Sequence, residues 1–327
     1  MRITSALIPL AAAILLLANP SSAADRIPEC IVPAKPGGGM DLTCKLTQQG
    51  LQAGMAKKDD ASQLRISYLP GGIGAVAWSS IVSQRRSAPD TLVVYSGGSL
   101  LNLAQGKFGK ASPADVRWVA AVGTDYGMVA VRADSPYKTL RELLDALQSQ
   151  PAKITIGAGG TVGSQDWLKM RILSKQRGID PKTLRLVAFE GGGEAFTALL
   201  AGHVQAVSGD TSEATEHAAA GRIRVLAVLS DARLAGPLAH VPTAREQGFD
   251  VTWPIIRGVY MGPDVPEADY RRWVKTFDRM MERPEFDRLR AAHGLHPFAM
   301  TGDLLSDYVR RTVDAYGKQA KEFGLVR

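Results

Sequence analysis

The sequence predicts an α/β protein of two lobes, in which parallel sheets are covered by helices. Short β-branched runs alternate with helical patterns along nearly the whole chain, which is typical of this class. Five glycine-rich stretches lie between a predicted strand and a predicted helix. The length of 327 residues exceeds a single core of about 100–150 residues, so two lobes are expected.

The composition excludes several other classes. The chain has 45% apolar residues, 6% aromatic residues and two cysteines, which excludes a disordered chain, a collagen-like repeat and a disulfide-dense small protein. Lysine and arginine total 39 against 32 acidic residues, a net charge of +7. No run of five like charges occurs, so we expect no nucleic-acid partner. The sign of the charge weakly favours anionic small molecules.

The first 24 residues have the pattern of a secretory signal peptide. Arg2 precedes an apolar run at 6–18, and small residues at 21–24 precede the first acidic residue. A bilayer span needs about 20 apolar residues, more than this run contains. We therefore expect cleavage after Ala24, with Ala23 as the alternative, and an exported, periplasmic protein.

The strands are predicted from β-branched runs bounded by turn residues, and the helices from apolar positions three and four apart. The predicted strands are 29–32, 64–68, 91–95, 116–122, 128–131, 153–156, 184–189, 204–208, 223–229 and 255–261. The predicted helices are 41–54, 75–84, 139–150, 164–176, 194–201, 213–220, 267–283 and 301–323. Thr139 and Glu142 fit a capping box at the start of one of them.

No Pro- or Ser-rich linker separates the lobes, so we expect continuous strands to join them. A hinge is predicted at 123–127, between two apolar strands, and the return crossing at 253–258. Lobe 1 then comprises 25–123 and 251–327, and lobe 2 comprises 124–250. The last sixty residues contain only helical patterns and should pack back on one lobe.

The glycine-rich stretches predict an anion site. They lie at 33–41, 70–74, 96–99, 157–164 and 190–193. Glycine lets the backbone approach a ligand closely, and the helix that follows offers unpaired N–H groups. In open α/β sheets, ligands bind beyond the carboxyl ends of the strands, where all five stretches fall. A tight turn explains any one stretch alone, whereas the set favours an anionic ligand.

Motifs of other functions are missing from the sequence. There is no P-loop, nucleophile elbow or H-E-x-x-H pattern, and the glycine spacing at 157–163 misses the dinucleotide fingerprint by one residue. His293 and His296 have no acidic or thiol companion in a motif, so no metal is expected. A secreted hydrolase using Ser99 or Ser164 is the alternative from another class, but neither serine has a partner in a recognised motif. We expect no enzyme activity and no cofactor.

Cys30 and Cys44 are the only two cysteines, 14 positions apart. In an oxidising compartment a bridge between them would contribute about 3 kcal/mol in the chain-entropy model. Two buried free thiols are the alternative. A zinc site is disfavoured, because neither cysteine has a histidine or C-x-x-C partner nearby.

The mature sequence contains six distinctive stretches, at 29–45, 96–102, 122–127, 163–167, 187–194 and 253–258. They resemble the extracytoplasmic solute receptors of tripartite tricarboxylate transporters, the TctC or Bug family. The resemblance runs along the whole mature chain. The paired cysteines and the stretch 96–102 look most like the tricarboxylate receptor itself.

The resemblance implies a type II periplasmic-binding-protein fold, with a ligand cleft between two α/β lobes and the C-terminal helices packed on the first lobe. It implies a monomer that captures a citrate-like tricarboxylate and delivers it to a membrane permease of one large and one small subunit. Another carboxylate, such as a dicarboxylate or an aromatic acid, is the alternative ligand.

The resemblance also nominates ligand-binding residues in both lobes. Asp210 stands where relatives have an Asp facing the cleft, followed here by Thr211-Ser212 where many relatives have Asn-Leu. The other nominated residues are Gly38, Gly39, Met40, Asp41, Ser96, Gly97, Ser99, Tyr126, Thr161, Val162, Gly163 and Ser164.

A tricarboxylate carries close to three negative charges, so at least one cation should face the ligand. Lys35 in the first glycine-rich stretch and Arg257 on the return strand are the candidates. Arginine is preferred because it binds carboxylates through two parallel hydrogen bonds. The alternatives are a surface charge for Lys35 and a structural ion pair for Arg257.

Overall fold

A computed structural model describes residues 27–54, 63–322 and 324–325 of the chain. The predicted signal peptide, 1–24, lies outside the described residues. Within these ranges the chain forms ten strands and ten α-helices. None of the described helices is long and apolar enough to cross a bilayer.

The strands are short except for two, which lie in the middle of the sheet. The strands are β1 (Glu29–Val32), β2 (Arg65–Tyr68), β3 (Thr91–Ser96), β4 (Arg117–Arg132), β5 (Thr155–Gly159), β6 (Arg185–Phe189), β7 (Ala206–Asp210), β8 (Ile223–Val228), β9 (Pro254–Met261) and β10 (Met300–Thr301). The helices are α1 (Gly39–Gly54), α2 (Ala75–Ser83), α3 (Gly97–Ala104), α4 (Leu140–Ser149), α5 (Gln165–Gln176), α6 (Gly192–Leu200), α7 (Thr211–Ala219), α8 (Glu267–Met281), α9 (Pro284–Ala292) and α10 (Gly302–Glu322).

Two parallel groups of strands flank β4 and β9. The strand order is β2-β1-β3-β9-β4-β7-β5-β6, with β8 and β10 also paired to β4. β1 pairs in parallel with β2 and β3, and β5 pairs in parallel with β6 and β7. β4 and β9 run antiparallel to each other and pass between the two lobes. The α/β class with two lobes is thus confirmed.

The strand break predicted at 123–127 is wrong. β4 continues through it for 16 residues and changes partner there, from β9 up to Tyr126 to β7 from Gly127 onward. Position 127 is a glycine because Lys169 occupies the space that a side chain would need, and not because the strand ends there. A Cβ atom at Gly127 would lie 2.5 Å from Cδ of Lys169.

Each lobe has its own apolar core, and the C-terminal helices complete that of the first. Trp273 and Phe277 of α8 pack in one buried cluster with Cys30 of β1. Leu305 of α10 packs in a second cluster with Trp78 of α2. Burying a large side chain of this kind stabilises a fold by about 1.5–3 kcal/mol. These helices therefore belong to the first lobe, as expected.

Two local features concern the sequence predictions directly. The disulfide Cys30–Cys44 is confirmed, with a Cα–Cα distance of 6.0 Å, and it joins β1 to α1. Helix α3 was not expected, because its first residues are glycines. Ser96 accepts a hydrogen bond from the Gly98 N–H, and Ser99 Oγ accepts one from the Ser96 N–H, so the serines cap the helix start.

Candidate functional site

A cavity lies between the lobes where five helices begin. Helices α1 and α3 start there from the first lobe, and α5, α6 and α7 from the second. Helix N-termini carry unpaired N–H groups and the positive end of the helix dipole. The lining includes Gly38, Gly39, Met40, Ser96, Gly98, Asn102, Gly159, Gly160, Ser164, Gln165, Asp166, Glu190, Gly191, Gly192, Asp210, Glu213 and Arg257.

Seven of the residues nominated from the sequence line this cavity. They are Gly38, Gly39, Met40, Ser96, Ser164, Asp210 and Arg257. Three further nominated residues, Thr161, Val162 and Gly163, lie in the loop that precedes α5 and contact the first lobe at the cleft mouth.

The other nominated residues have contacts elsewhere. Asp41 accepts hydrogen bonds from the Gly37 N–H and the Tyr68 hydroxyl, and it pairs with Lys45. Ser99 caps α3, and a Cβ atom at Gly97 would lie 3.3 Å from the Tyr316 hydroxyl of α10.

Tyr126 and Lys35 also lie away from the cavity lining. The Tyr126 ring packs 5.4 Å from the ring of His296, measured between centroids. Lys35 is exposed and pairs with Glu194 of the second lobe at 2.5 Å.

Arg257 lines the cavity, but two carboxylates neutralise its charge. Its Nη2 donates to Asp125 Oδ2 at 2.7 Å and to Asp210 Oδ2 at 2.6 Å, and the side chain is only 2% exposed. Burial alone would lower its pKa, but Asp210 and Asp125 raise it, so the guanidinium stays charged. Of the two roles proposed for Arg257 from the sequence, the structural ion pair describes this contact. The Nε–H of Arg257 has no hydrogen-bond partner in the described part of the chain.

Asp125 holds the start of α7 as well as Arg257. Its carboxylate accepts hydrogen bonds from the Thr211 hydroxyl at 2.7 Å and the Ser212 hydroxyl at 2.6 Å. Burial would raise its pKa, but Arg257 and Ser212 outweigh that effect and lower it. The Thr-Ser pair that departs from the common family pattern therefore supplies the second-lobe partners of Asp125.

Lys169 is a second buried cation that the sequence did not indicate. Its Nζ donates to the Gly209 carbonyl at 2.6 Å, pairs with Asp166 Oδ1 at 2.7 Å and lies 3.1 Å from Asp210 Oδ1. Burial would lower the pKa of the ammonium, but the two carboxylates raise it. The lysine is therefore charged and fully paired below the cavity.

Two acids of the cavity have raised pKa values. Burial and the neighbouring Asp210 raise the pKa of Glu213 to about 8. Burial raises the pKa of Asp166 to about 6, against the opposing effect of Lys169. Glu213 Oε1 also accepts a hydrogen bond from the Gly39 N–H at 2.8 Å, which links the second lobe to the start of α1.

The site as a whole has more carboxyl groups than cations. Its cations are Arg257 and Lys169, and its carboxyl groups belong to Asp125, Asp166, Asp210 and Glu213. Both candidate cations, Lys35 and Arg257, pair with carboxylates, and of the two only Arg257 lines the cavity.

Two side-chain amides also face the cavity. Asn102 Nδ2 donates to the Ile73 carbonyl at 3.4 Å, and Gln165 Nε2 donates to both Asp210 oxygens at 3.1 and 3.2 Å. Within the described residues, Asn102 Oδ1 and Gln165 Oε1 accept no hydrogen bond. The cavity therefore offers acceptor oxygens as well as helix N-termini.

The lobes touch at the cleft mouth. Gln105 Nε2 donates to the Gly163 carbonyl at 2.8 Å, and Lys107 Nζ donates to Thr161 Oγ1 at 3.0 Å. A Cβ atom at Gly193 would lie 2.9 Å from the carbonyl carbon of Gly37, so backbone meets backbone there. The structure is a closed form.

The sequence analysis did not identify most of the polar side chains that surround the glycine-rich lining of the cavity. Asp125, Asp166 and Gln165 lie inside stretches that carried the resemblance, so their positions were indicated but not their burial. Lys169 and Glu213 each follow, within one helical turn, a cavity residue at the start of their helix. That spacing is the one sequence feature that could have found them.

The fold is that of a periplasmic binding protein, and solved structures share it. One is the R. palustris protein Rpa4515 with adipate, at a TM-score of 0.82 and 19% identity, covering 93% of this chain and 99% of that one. Another is MatC from Rhodopseudomonas palustris with bound malate, at a TM-score of 0.73 and 20% identity, covering 89% and 97%.

The family is shown by the sequence match. The family described as the tripartite tricarboxylate transporter family receptor, TctC, matches residues 51–325, so the chain belongs to it. A protein described as UPF0065 protein in gbd 5'region, from Cupriavidus necator, is 24% identical over 97% of this chain and 94% of its own length. The resemblance stated from the sequence is confirmed. Receptors of this family are periplasmic solute-binding proteins that work with transporter permeases.

Proposed function

We propose that this protein captures a small organic carboxylate between its lobes and delivers it to the permease of a tripartite tricarboxylate transporter. The observation that carries this proposal is the convergence of five helix N-termini, from both lobes, on one cavity. Backbone N–H groups at helix N-termini bind carboxylates without chemical change. The family match supports the same role.

Several finer predictions belong to this proposal. The chain is exported through its first 24 residues and acts in the periplasm as a monomer. The lobes comprise 25–123 with 251–327, and 124–250. The ligand contacts are the nominated residues of the cavity, with the loop 161–163 closing over them.

The pairing of the two candidate cations bears on the charge of the ligand. A citrate-like tricarboxylate stays a prediction, and the neutralised Arg257 and Lys35 count against three uncompensated negative charges. The neighbours solved with malate and with adipate hold dicarboxylates. We therefore favour a ligand with fewer negative charges than citrate.

A thermal-shift and calorimetric titration tests the proposal with malate, adipate and citrate. Binding stabilises the folded protein, so the unfolding temperature should rise with ligand concentration. At a ligand concentration of one hundred times the Kd, the unfolding free energy increases by about 2.7 kcal/mol. Mass spectrometry of the recovered ligand should show no chemical change. A hydrolysed or transferred product would favour the alternative of a secreted enzyme, and no response to any small carboxylate would contradict the proposal.

Substitution of Gly39 tests the position of the site. A Cβ atom at Gly39 would lie 2.2 Å from Arg257 Nη2, so Gly39→Ala must displace the guanidinium at the cavity. We expect at least a tenfold loss of carboxylate affinity with the circular dichroism spectrum retained. Gly317→Ala is the control, because nothing lies within 4 Å of a Cβ atom there. Unchanged affinity in Gly39→Ala would place the ligand elsewhere.

A further inference from the structure

We propose that Ile73 is a strained latch between the lobes, whose backbone is forced into the left-handed region when the cleft closes and relaxes when the cleft opens. The inference rests on the proposed function, because it concerns how the same cleft closes and releases its ligand. Three observations on the described residues carry it: the backbone torsion of Ile73, the weak contacts that hold this torsion within the first lobe, and the contact of the side chain with the second lobe.

The backbone of Ile73 is an outlier. Its φ is 54° and its ψ is 47°, and in the described part of the chain all other residues with a positive φ are glycines. This region is sterically unfavourable for L-residues, and a β-branched residue there is a genuine exception. The residues on either side, Gly72 and Gly74, also have a positive φ, but glycine adopts it without strain. The strain of the loop therefore lies at Ile73.

The first lobe holds this conformation only weakly. Ile73 lies in a short turn between β2 and α2, where the Gly74 N–H donates to the Gly71 carbonyl at 3.2 Å. The carbonyl of Ile73 accepts a hydrogen bond from Asn102 Nδ2 at 3.4 Å, which is long for such a bond. Strained residues persist only where the surrounding structure imposes their conformation, and two long hydrogen bonds are a weak constraint.

The second lobe supplies a further contact. Ile73 lines the cavity together with Gly160 and Ser164 of the second lobe. A Cβ atom at Gly160 would lie 3.5 Å from Ile73 Cδ1 and 2.6 Å from Ser164 Cβ, so the isoleucine packs beside this glycine near the start of α5. Because the χ1 angle of isoleucine is restricted, the backbone torsion decides whether its side chain reaches across the cleft. Opening would remove this contact and let the backbone relax.

The latch makes closure less favourable. A strain that exists only in the closed form raises the free energy of that form relative to the open one, and a bound ligand must offset it. The consequence is a lower affinity and a faster release than a residue without strain would give. Strained backbone is typical of ligand clamps and switches, where two conformations are close in free energy. In a receptor that hands its ligand on, such a latch favours release over prolonged retention.

Two variants at this position separate the backbone from the side chain. Ile73→Gly and Ile73→Ala both remove the side chain that reaches Gly160, but only glycine adopts the left-handed region without strain. We expect Ile73→Gly to bind the probe about fivefold more tightly than Ile73→Ala, with a correspondingly slower dissociation in stopped-flow measurements. The probe is whichever of malate, adipate and citrate binds the wild type most tightly in a calorimetric titration.

Gly178→Ala is the control for the effect of a left-handed alanine. Gly178 has a φ of 76° and follows the C-terminal end of α5, away from the cleft. No atom of the described residues lies within 4 Å of a Cβ atom there. Because this conformation does not depend on closure, the substitution should lower the unfolding free energy in urea and leave the affinity for the probe unchanged.

The outcomes test the latch separately from the proposed function. Equal affinity of Ile73→Gly and Ile73→Ala would overturn the latch and leave the carboxylate receptor intact, whether or not their unfolding free energies differ. If the wild type and both variants bind none of the three carboxylates, the proposed function fails, and small-angle scattering of the unliganded proteins then decides the latch. Ile73→Gly should have a smaller radius of gyration than Ile73→Ala, and equal radii would overturn the latch as well.

Discussion

Glu213 is the residue whose protonation should be most visible in the stability of the protein. Its pKa is about 8 in the folded state, against an ordinary value of 4.5. Between these two values the folded state binds more protons than the unfolded state, so the unfolding free energy falls as the pH rises. The stabilisation is complete below pH 4.5 and is lost as the pH passes 8.

Glu213→Gln tests this pH dependence, because glutamine stays neutral at every pH. We expect the variant to match the wild type near pH 4.5 and to become the more stable of the two between pH 7 and pH 9. Urea unfolding at pH 5, 7 and 9 measures the difference, with Glu285→Gln as the exposed control. A difference between Glu213→Gln and the wild type that does not change with pH would show that Glu213 has an ordinary pKa.

At the residue scale the sequence could place the glycines of the site but not its ion pairs. Gly38, Gly39 and Ser164 follow from the rule that helices starting after a strand bind anions, and the structure puts them in one cavity. Arg257, by contrast, finds its partners 132 and 47 positions away in the chain. Arg257 and Asp125 lie on the paired strands β9 and β4, and Asp210 ends β7, which also pairs with β4. These contacts depend on the pairing of strands that are distant in the chain, and no local pattern encodes them.

At the scale of elements, the disulfide is the best test of how the first lobe holds the site. It joins β1 to α1, whose first residue lines the cavity. The bridge closes a loop of 14 residues, for which the chain-entropy model gives about 3 kcal/mol. The double variant Cys30→Ala/Cys44→Ala should therefore lose about 2–4 kcal/mol of unfolding free energy in urea.

Reduction checks the same prediction on the unmodified chain. Intact mass should rise by two hydrogens on reduction, and the reduced wild type should unfold at a urea concentration close to that of the double variant. The double variant itself should not respond to the reductant. A wild type that keeps its full stability after reduction would show that the bridge contributes little.

Two elements show where local propensity fails. Gly97 and Gly98 are poor helix formers, yet α3 begins at Gly97, since Ser96 and Ser99 cap its start and Leu100 is fully buried. Gly127 predicts a break, yet β4 passes through it, because the stem of Lys169 fills the space of the missing side chain. In both cases tertiary contacts outweigh an unfavourable local residue.

At the scale of the whole molecule, the described part of the chain has few polar contacts between the two lobes apart from the buried ion pairs of Arg257. Lys35 pairs with Glu194 at one place on the cleft mouth, and Lys107 binds Thr161 and Val162 at another. The cleft is bounded on the other side by β4 and β9, which pass between the lobes. Opening would thus separate these polar contacts while the two strands stay paired, and the closed form depends on a small difference in free energy.

The double variant Lys35→Ala/Lys107→Ala removes the two lysine contacts at the cleft mouth, keeps the Gln105–Gly163 contact and does not touch the cavity lining. Loss of the two lysine contacts should weaken closure and lower the affinity for the tightest-binding carboxylate several-fold in a calorimetric titration. The unfolding free energy should change by less than about 1 kcal/mol, because exposed pairs contribute little to folding. Small-angle scattering should show a larger radius of gyration for the unliganded variant than for the wild type, and the same radius for both when saturated with ligand. The control Lys275→Ala/Lys318→Ala loses the same charge away from the cleft and should match the wild type. Equal affinity and equal scattering in all three proteins would show that the two lysine contacts do not govern closure.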